Sequence, residues 1–370
     1  MSEQVIQRFV IKVGSSVLTD ERGRLLARRV QRLADQVSSC ANEHHQPLIV
    51  SSGAIACGMA KLGLSSRPKA LAQLQACAAI GQSELMHLYT VAFAAHDMMT
   101  AQVLLTQDDL ADRARFRNAK QTLLTLLHRR VVPIINENDT VAIEELTFGD
   151  NDRLAALVAS AVDAQLLVIL SDVDGFLQDG KLLERVERVS GLQSAVMRHA
   201  KRQTTKGGMD AKLEAARIVG HSGIPMVIAN GTSPTVLTDL LAGKPVGTLF
   251  VPSRTRLASH KWWIAFALRQ PRGAVSIDDG AVRAMVEQGK SLLASGIQGV
   301  NGRFEVGACV VVTDGAGREL ARGLTNFSSS ELMRVRGMKS AEAARTLGHA
   351  RAREVIHRDQ LVLATELQHE

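Results

Sequence analysis

Residues 8–16 read RFVIKVGSS, an apolar run from Phe9 to Val13 that carries one lysine, Lys12, and stops at Gly14-Ser15-Ser16. Valine and isoleucine favour extended backbone and glycine punctuates it, so the stretch predicts a strand over Arg8–Val13. A lysine inside such a run is unusual, because an ammonium is costly to bury without a partner. Lys12 is therefore the first candidate for chemistry.

The same arrangement recurs outward from this strand. Pro47–Val50 begins a second strand, followed by the tight turn Ser51–Gly53 and a helix. Further strands are predicted over Ala101–Leu105, Val131–Asn136 (VVPIIN), Leu166–Leu170 (LLVIL) and Met226–Ala229. Helical periodicity marks Leu25–Cys40, Leu71–Phe93, Phe116–His128, Leu154–Val162, Met209–His221 and Thr235–Leu241. Strand and helix alternating in this way imply an α/β fold with a mostly parallel sheet covered on both faces. Such folds bind ligands at the carboxyl ends of their strands.

After Gly247 the pattern changes. Ser253–Ala267 holds both tryptophans and several cations and reads as a connector. From Ala274 the segments are short and glycine-rich, with strand-like Val310–Val312 and Val362–Leu363, so a small β-rich domain is expected. The expected limits are 1–252 for the large domain, 253–273 for a linker and 274–366 for the small domain.

Composition narrows the function classes. The 370 residues are 46% hydrophobic and 22% charged, as in an ordinary globular protein, and only 3% aromatic, so the core should be aliphatic. The N-terminus lacks the apolar segment of a secretory signal and no apolar run reaches a membrane span. Cys40, Cys57, Cys77 and Cys309 form no C-x-x-C pair. That argues against a zinc site or disulfide framework and for reduced thiols in a cytoplasmic protein. The net charge is +7, yet residues 278–370 hold 12 Lys+Arg against 12 Asp+Glu. The positive excess lies before residue 278, where anionic substrates would explain it as well as a nucleic-acid partner would. The neutral tail, with no aromatic stacking platform, argues against a nucleic-acid partner.

The strand ends deliver small and polar residues: Lys12 and Gly14; Ser52 and Gly53; Asn136 to Asp139; Ser171 and Asp172. Two predicted helices open on Asp150-Asn151-Asp152 and on Lys206-Gly207-Gly208-Met209-Asp210-Ala211-Lys212. Each group alone has an ordinary structural explanation as a turn or a helix cap. Together, at the ends of parallel strands, they suit phosphate chemistry, in which glycine turns and helix N-termini receive anions and lysines neutralise them. No P-loop is present: Gly289-Lys290-Ser291 has Ala284 where the first glycine belongs. G-x-S-x-G, H-E-x-x-H and G-x-G-x-x-G are also missing.

The ordered motifs VIKVGSS, VSSGAIACG, DRARFRNA, VVPIINENDTVA, FGDNDRLAALVA, LLVILSDVDGF and KGGMDAKLEAA resemble those of glutamate 5-kinases, in the amino-acid kinase superfamily. The tail, from GAVSIDDGAV through GKSLLASGIQGVNGRFEVGACVVV, resembles a PUA domain. The resemblance implies an open αβα sandwich, the amino-acid kinase fold, plus a C-terminal PUA-like domain. It implies ATP-dependent phosphorylation of the side-chain carboxylate of L-glutamate, the first step of proline synthesis. Lys12 and Lys212 would be catalytic and Asp152 would orient them. Ser52, Asp139 and Asn151 would bind glutamate, with Asp139 facing its ammonium. Lys12, Gly14, Ser171, Asp172, and Lys206 through Gly207, Gly208, Met209, Asp210 and Ala211 to Lys212 would line the ATP site. Gly14 and Gly53 would offer backbone donors. Mg²⁺ would bridge the ATP phosphates without a protein cage. The resemblance further implies feedback by proline, with residues 106–117 contributing, a homo-oligomer, and contact with glutamyl phosphate reductase.

Two features depart from the family pattern, both on the nucleotide side: Lys206 stands where a small residue is expected, and the 175–181 loop is short. Two other readings compete. A kinase of this fold acting on N-acetylglutamate or aspartate would keep the mechanism, but Asp139 disfavours an acetylated amine. An RNA-binding protein acting through the PUA-like tail is the other.

Overall fold

The computed structural model describes residues 7–20, 24–41, 45–141, 150–189, 192, 208–253, 256–268, 271–348 and 354–367. The chain divides into two compact units, Met1–Arg254 and Thr255–Glu370.

The first unit follows the alternation expected. Its elements run β1 (Arg8–Val13), α1 (Ser15–Leu18), α2 (Ala27–Cys40), β2 (Gln46–Ser51), α3 (Ala54–Lys61), α4 (Leu71–Ala94), β3 (Met99–Leu105), α5 (Gln107–Ala111), α6 (Arg113–His128), β4 (Val131–Glu137), α7 (Asp150–Ala161) and β5 (Leu166–Ser171). Then come the short β6 (Leu177–Gln178), β7 (Lys181–Leu182) and β8 (Arg185–Val186), followed by α8 (Gly208–Gly220), β9 (Met226–Asn230), α9 (Val236–Leu241) and β10 (Thr248–Phe250). Eight strands form one sheet in the order β3-β4-β2-β1-β5-β9-β10-β8. Every pairing in it is parallel except that of β10 with β9. The chain leaves β1 toward β2 on one side and returns to β5 on the other. That reversal opens a crevice at the carboxyl ends of the central strands.

Strand alternation assigns each side chain to a layer. Phe9, Ile11 and Val13 of β1 and Leu166, Val168 and Leu170 of β5 pack in one core with residues of α2, α4 and α9. Ile49 of β2 and Val132 and Ile134 of β4 join them. By the same period Ser51 and Asn136 face α4, whereas Lys12 and Ser171 face the opposite layer, formed by α7 and α8. The α3–α4 crossing is backbone-close: a Cβ on Gly81 would lie 1.8 Å from the Ala54 carbonyl oxygen, and one on Gly58 would lie 1.8 Å from that of Cys77. These glycines bring α4 against the turn that follows β2.

Three segments differ from expectation. Residues 106–115, where no element is predicted, hold α5 and the start of α6. Thr106 and Asp109 form a capping box, and Asp112 caps α6 through the amides of Ala114 and Arg115, as short polar side chains do at helix starts. The short 175–181 loop is a hairpin of β6 and β7 turned by Asp179 (φ 51°) and Gly180 (φ 78°), the paired left-handed geometry that a two-residue hairpin favours. The stretch read as a connector holds α10 (Ser259–Trp262) and a wider helical turn over Trp263–Ala267, with Trp262, Trp263, Ile264 and Phe266 buried.

The second unit carries a five-stranded sheet, β12-β11-β13-β14-β15, made of β11 (Gly273–Ile277), β12 (Ile297–Asn301), β13 (Cys309–Thr313), β14 (Glu319–Leu324) and β15 (Leu361–Leu363). Its own core includes Val275, Ile277, Val310, Val312, Leu332 and Val335. No helix among the described residues is long and apolar enough to cross a membrane.

Candidate active site

The centre of the site is a carboxylate held between two ammonium groups. Lys12 projects from β1 toward α7 and α8 and meets Asp152 of α7, with Nζ 2.6 Å from Oδ1. Lys212 of α8 approaches the other oxygen, Nζ to Oδ2 at 3.2 Å, and also donates to the Gly208 carbonyl oxygen at 3.2 Å. All three are buried, with Asp152 only 1% exposed. Three buried charges carry a net positive charge, an arrangement that suits an incoming anion. Burial pushes the Lys12 ammonium below its ordinary value; Asp152 opposes that shift, Lys212 adds to it, and Asp172 opposes it. Asp172 thus acts on Lys12 from the end of β5. The helices bearing these groups are tied by Arg153, whose Nη1 lies 3.2 Å from Oε1 of Glu214, which also pairs with Arg217.

Beside this centre, Asn151 donates from Nδ2 to Ser52 Oγ at 3.0 Å. Asn151 Oδ1 is buried without a partner among the described residues. The pair therefore keeps a hydroxyl proton on Ser52 and a carbonyl acceptor on Asn151 in reserve. Ser52 leads into Gly53, whose φ of 112° lies in the left-handed region and starts α3. Asp139 lies two residues beyond the end of β4.

The structure brings Lys12, Asp152, Lys212, Ser52 and Asn151 together. Ser171 donates to Asp172 Oδ1 at 3.1 Å at the end of β5. Gly208, Met209, Asp210 and Ala211 form the first turn of α8. Lys206 and Gly207 lie outside the described residues. One expectation is corrected: the Gly14 amide is not a free donor, because it donates to the Leu170 carbonyl at 3.1 Å and so extends the β1–β5 ladder. No group of three or more metal-ligating side chains occurs among the described residues.

Sequence reasoning missed the polar contacts that Gln82 and Tyr89 make on the α4 face. Tyr89 Oη and Ser51 Oγ lie 2.9 Å apart, both fully buried, and Ser51 Oγ also reaches the Ser52 carbonyl at 3.2 Å. Burial pushes the Tyr89 phenol above its ordinary value, opposed by the bond with Ser51. Asn136 donates from Nδ2 to Gln82 Oε1 at 2.8 Å, and its Oδ1 accepts from the Glu137 amide at 2.9 Å. The available signal was Gln82 and Tyr89 standing seven residues apart on one face of a long apolar helix.

A family model described as "Amino acid kinase family" matches residues 7–230, and a PUA domain model matches residues 273–347. The glutamate 5-kinase of Caldanaerobacter subterraneus subsp. tengcongensis is 46% identical over 363 residues, covering 96% of this chain and 97% of that protein. The glutamate 5-kinase of Geobacter sulfurreducens is 45% identical over 365 residues, covering 97% and 98%. That of Moorella thermoacetica is 42% identical over 364 residues, covering 96% of each. The chain belongs to the amino acid kinase family and, within it, to the glutamate 5-kinases.

Proposed function

We propose that this chain transfers the γ-phosphoryl group of ATP to the side-chain carboxylate of L-glutamate, giving ADP and L-glutamyl 5-phosphate. The observation that carries the reading is the buried Lys12–Asp152–Lys212 centre at the carboxyl ends of parallel strands, in a chain whose relatives over nearly their full length are glutamate 5-kinases.

The chemistry asks little of an acid or base. The acceptor oxygen is already anionic at neutral pH, so no proton has to be removed. One P–O bond forms to the carboxylate as the bond to the ADP oxygen breaks, and ADP departs with the electron pair. The barrier comes from bringing two anions together and from charge on the transferring group, which positioned cations offset. In this reading Lys12 and Lys212 neutralise that charge and Asp152 fixes their separation. Ser52 and Asn151 hold the acceptor carboxylate and Asp139 faces the substrate ammonium. Ser171, Asp172 and the opening of α8 line the nucleotide site. Lys206, Gly207 and Gly14 belong to that side, Gly14 through its small size rather than its amide. Magnesium enters with the nucleotide as Mg-ATP.

The same reading places the reaction at the start of proline synthesis in the cytoplasm, with proline as feedback inhibitor, a homo-oligomer as the working form and glutamyl phosphate reductase as the consumer of the labile product. The test is direct. Protein with Mg-ATP, L-glutamate and hydroxylamine should yield the coloured hydroxamate of an acyl phosphate, reduced by proline and lost in Lys212→Ala. A signal with N-acetylglutamate or aspartate but none with glutamate would move the substrate and keep the mechanism.

A further inference from the structure

Gln82 of α4 is nine-tenths buried, and the reaction as described gives it no role. Its Oε1 accepts from Asn136 Nδ2, while its Nε2 is buried with no partner among the described residues. The orientation of this amide is not arbitrary. The Glu137 amide donates to Asn136 Oδ1, so the Asn136 NH₂ must be the group that faces Gln82. Gln82 must then present its carbonyl to Asn136 and turn its own NH₂ away. A buried donor without an acceptor costs stability and calls for an explanation such as a ligand.

The location supplies one. Gly81 packs against Ala54, directly after the Ser52–Gly53 turn, and Asn136 lies at the end of β4. Ile135 pairs with Val50, so Ser51 and Asn136 are neighbours on adjacent strands. Gln82 thus stands between the turn that carries Ser52 and the end of β4 that leads to Asp139, two of the residues assigned to glutamate. Lys12 belongs to the strand two away, because the order is β4-β2-β1, about 10 Å between the strand axes, and faces the opposite layer, so a substrate joining the two lies across the strand ends. An extended glutamate with a hydrogen bond of about 3 Å at each end covers that span. With the side-chain carboxylate at Lys12 and Lys212, the amino-acid end reaches β4 and α4.

We propose that Gln82 is a specificity-determining residue, its Nε2 donating to the α-carboxylate of the acceptor amino acid. This rests on the glutamate reading and assigns a site residue to the end of the substrate that does not react. A locked donor suits an anion and offers nothing to an ammonium, which leaves the amino group to Asp139. Selectivity follows: an acceptor lacking the α-carboxylate leaves the buried Nε2 unpaired and is penalised.

The decisive variant is Gln82→Glu. It keeps an oxygen for Asn136 but exchanges the free donor for an acceptor that also carries a charge when ionised, so its unfolding midpoint is measured beside its kinetics and Gln82→Met serves as the uncharged control. KM for L-glutamate should rise roughly 10- to 100-fold, the size of a lost hydrogen bond to a charged group. Values of kcat and of KM for ATP should stay within about threefold. Preference for glutamate over its α-amide, which can donate to the new oxygen, should fall by about tenfold or more. Gln82→Met, which removes the amide without introducing a charge, should raise KM for glutamate in the same way. An unchanged glutamate KM in both variants, or equal losses for glutamate and its α-amide, would overturn the proposal while leaving the glutamate reading intact. A wild-type chain silent with glutamate in the hydroxamate assay would overturn both.

Discussion

Buried polar side chains are handled differently in the two units. In the second, most are satisfied within a few residues of chain. Asp314 accepts from the amides of Ala316 and Arg318. Thr325 Oγ1 donates to the Phe327 carbonyl, and Ser328 forms a capping box with Glu331. In the first unit the pairs around the site come from distant elements: Lys12 with Asp152, Lys212 with Asp152, Asn136 with Gln82, and Ser51 with Tyr89. Local pairs stabilise a turn or a helix end and can form early. Distant pairs exist only when the whole sheet is assembled, and they leave atoms in reserve, such as Asn151 Oδ1 and Gln82 Nε2. The first kind of burial maintains a fold; the second prepares a place for a ligand.

The contrast is most easily broken at Asp152. Asp152→Ala leaves two ammonium groups buried without their anion, a loss of about 3–5 kcal/mol if both stay charged. It should also lower kcat on the order of 10²-fold or more through the misplaced lysines. A variant with normal unfolding midpoint and normal turnover would show that the centre is neither strained nor catalytic. Next in size is Gly81→Val, which forces side-chain atoms onto the Ala54 backbone. It should cost about 3 kcal/mol or more in denaturant unfolding of the first unit, and a tolerated valine would mean that α4 is free to move.

The pH dependence sharpens the same comparison. Burial lowers the Lys12 value from the ordinary 10.5, and the reaction needs the charged form. The alkaline limb of kcat/KM, which reports the free enzyme, should therefore fall below that ordinary 10.5. Between the folded and unfolded values the unfolded chain binds more protons, so this group's contribution to stability rises with pH there while activity declines. A limb at or above the ordinary lysine value would contradict the burial. The smallest effect belongs to the second unit: Ser328→Ala removes a local cap and should cost about 1 kcal/mol, with hydroxamate turnover unchanged.

Much of this was legible in the sequence, for identifiable reasons. The central strands are continuous apolar runs ending at small polar residues, so β1, β2, β4 and β5 fell within a residue or two of their limits. Lys12 stood out as a charge in such a run, and Asp152 and Lys212 as polar residues at helix starts. The Gly14 amide did not, because whether an amide is spent depends on which strand lies alongside. Nor did Gln82 and Tyr89, which sit in a helix apolar on most sides and gain meaning only where it meets the ends of β2 and β4. Residues 259–267 were misread because cations and tryptophans interrupt a short helical pattern. The two-residue strands β6, β7 and β8 are too short to show any period.

The burial of Tyr89 has a practical side. It is the only tyrosine in the chain, and the chain has only two tryptophans. Tyr89 is fully buried in the first unit, while Trp262 and Trp263 are buried in the second. Each unit thus carries its own natural chromophore, with no labelling required. Tryptophan emission follows the unfolding of the smaller unit and the near-ultraviolet tyrosine signal follows the larger. Superimposable transitions would mean that the two units melt as one cooperative body, and separated ones would give each its own stability.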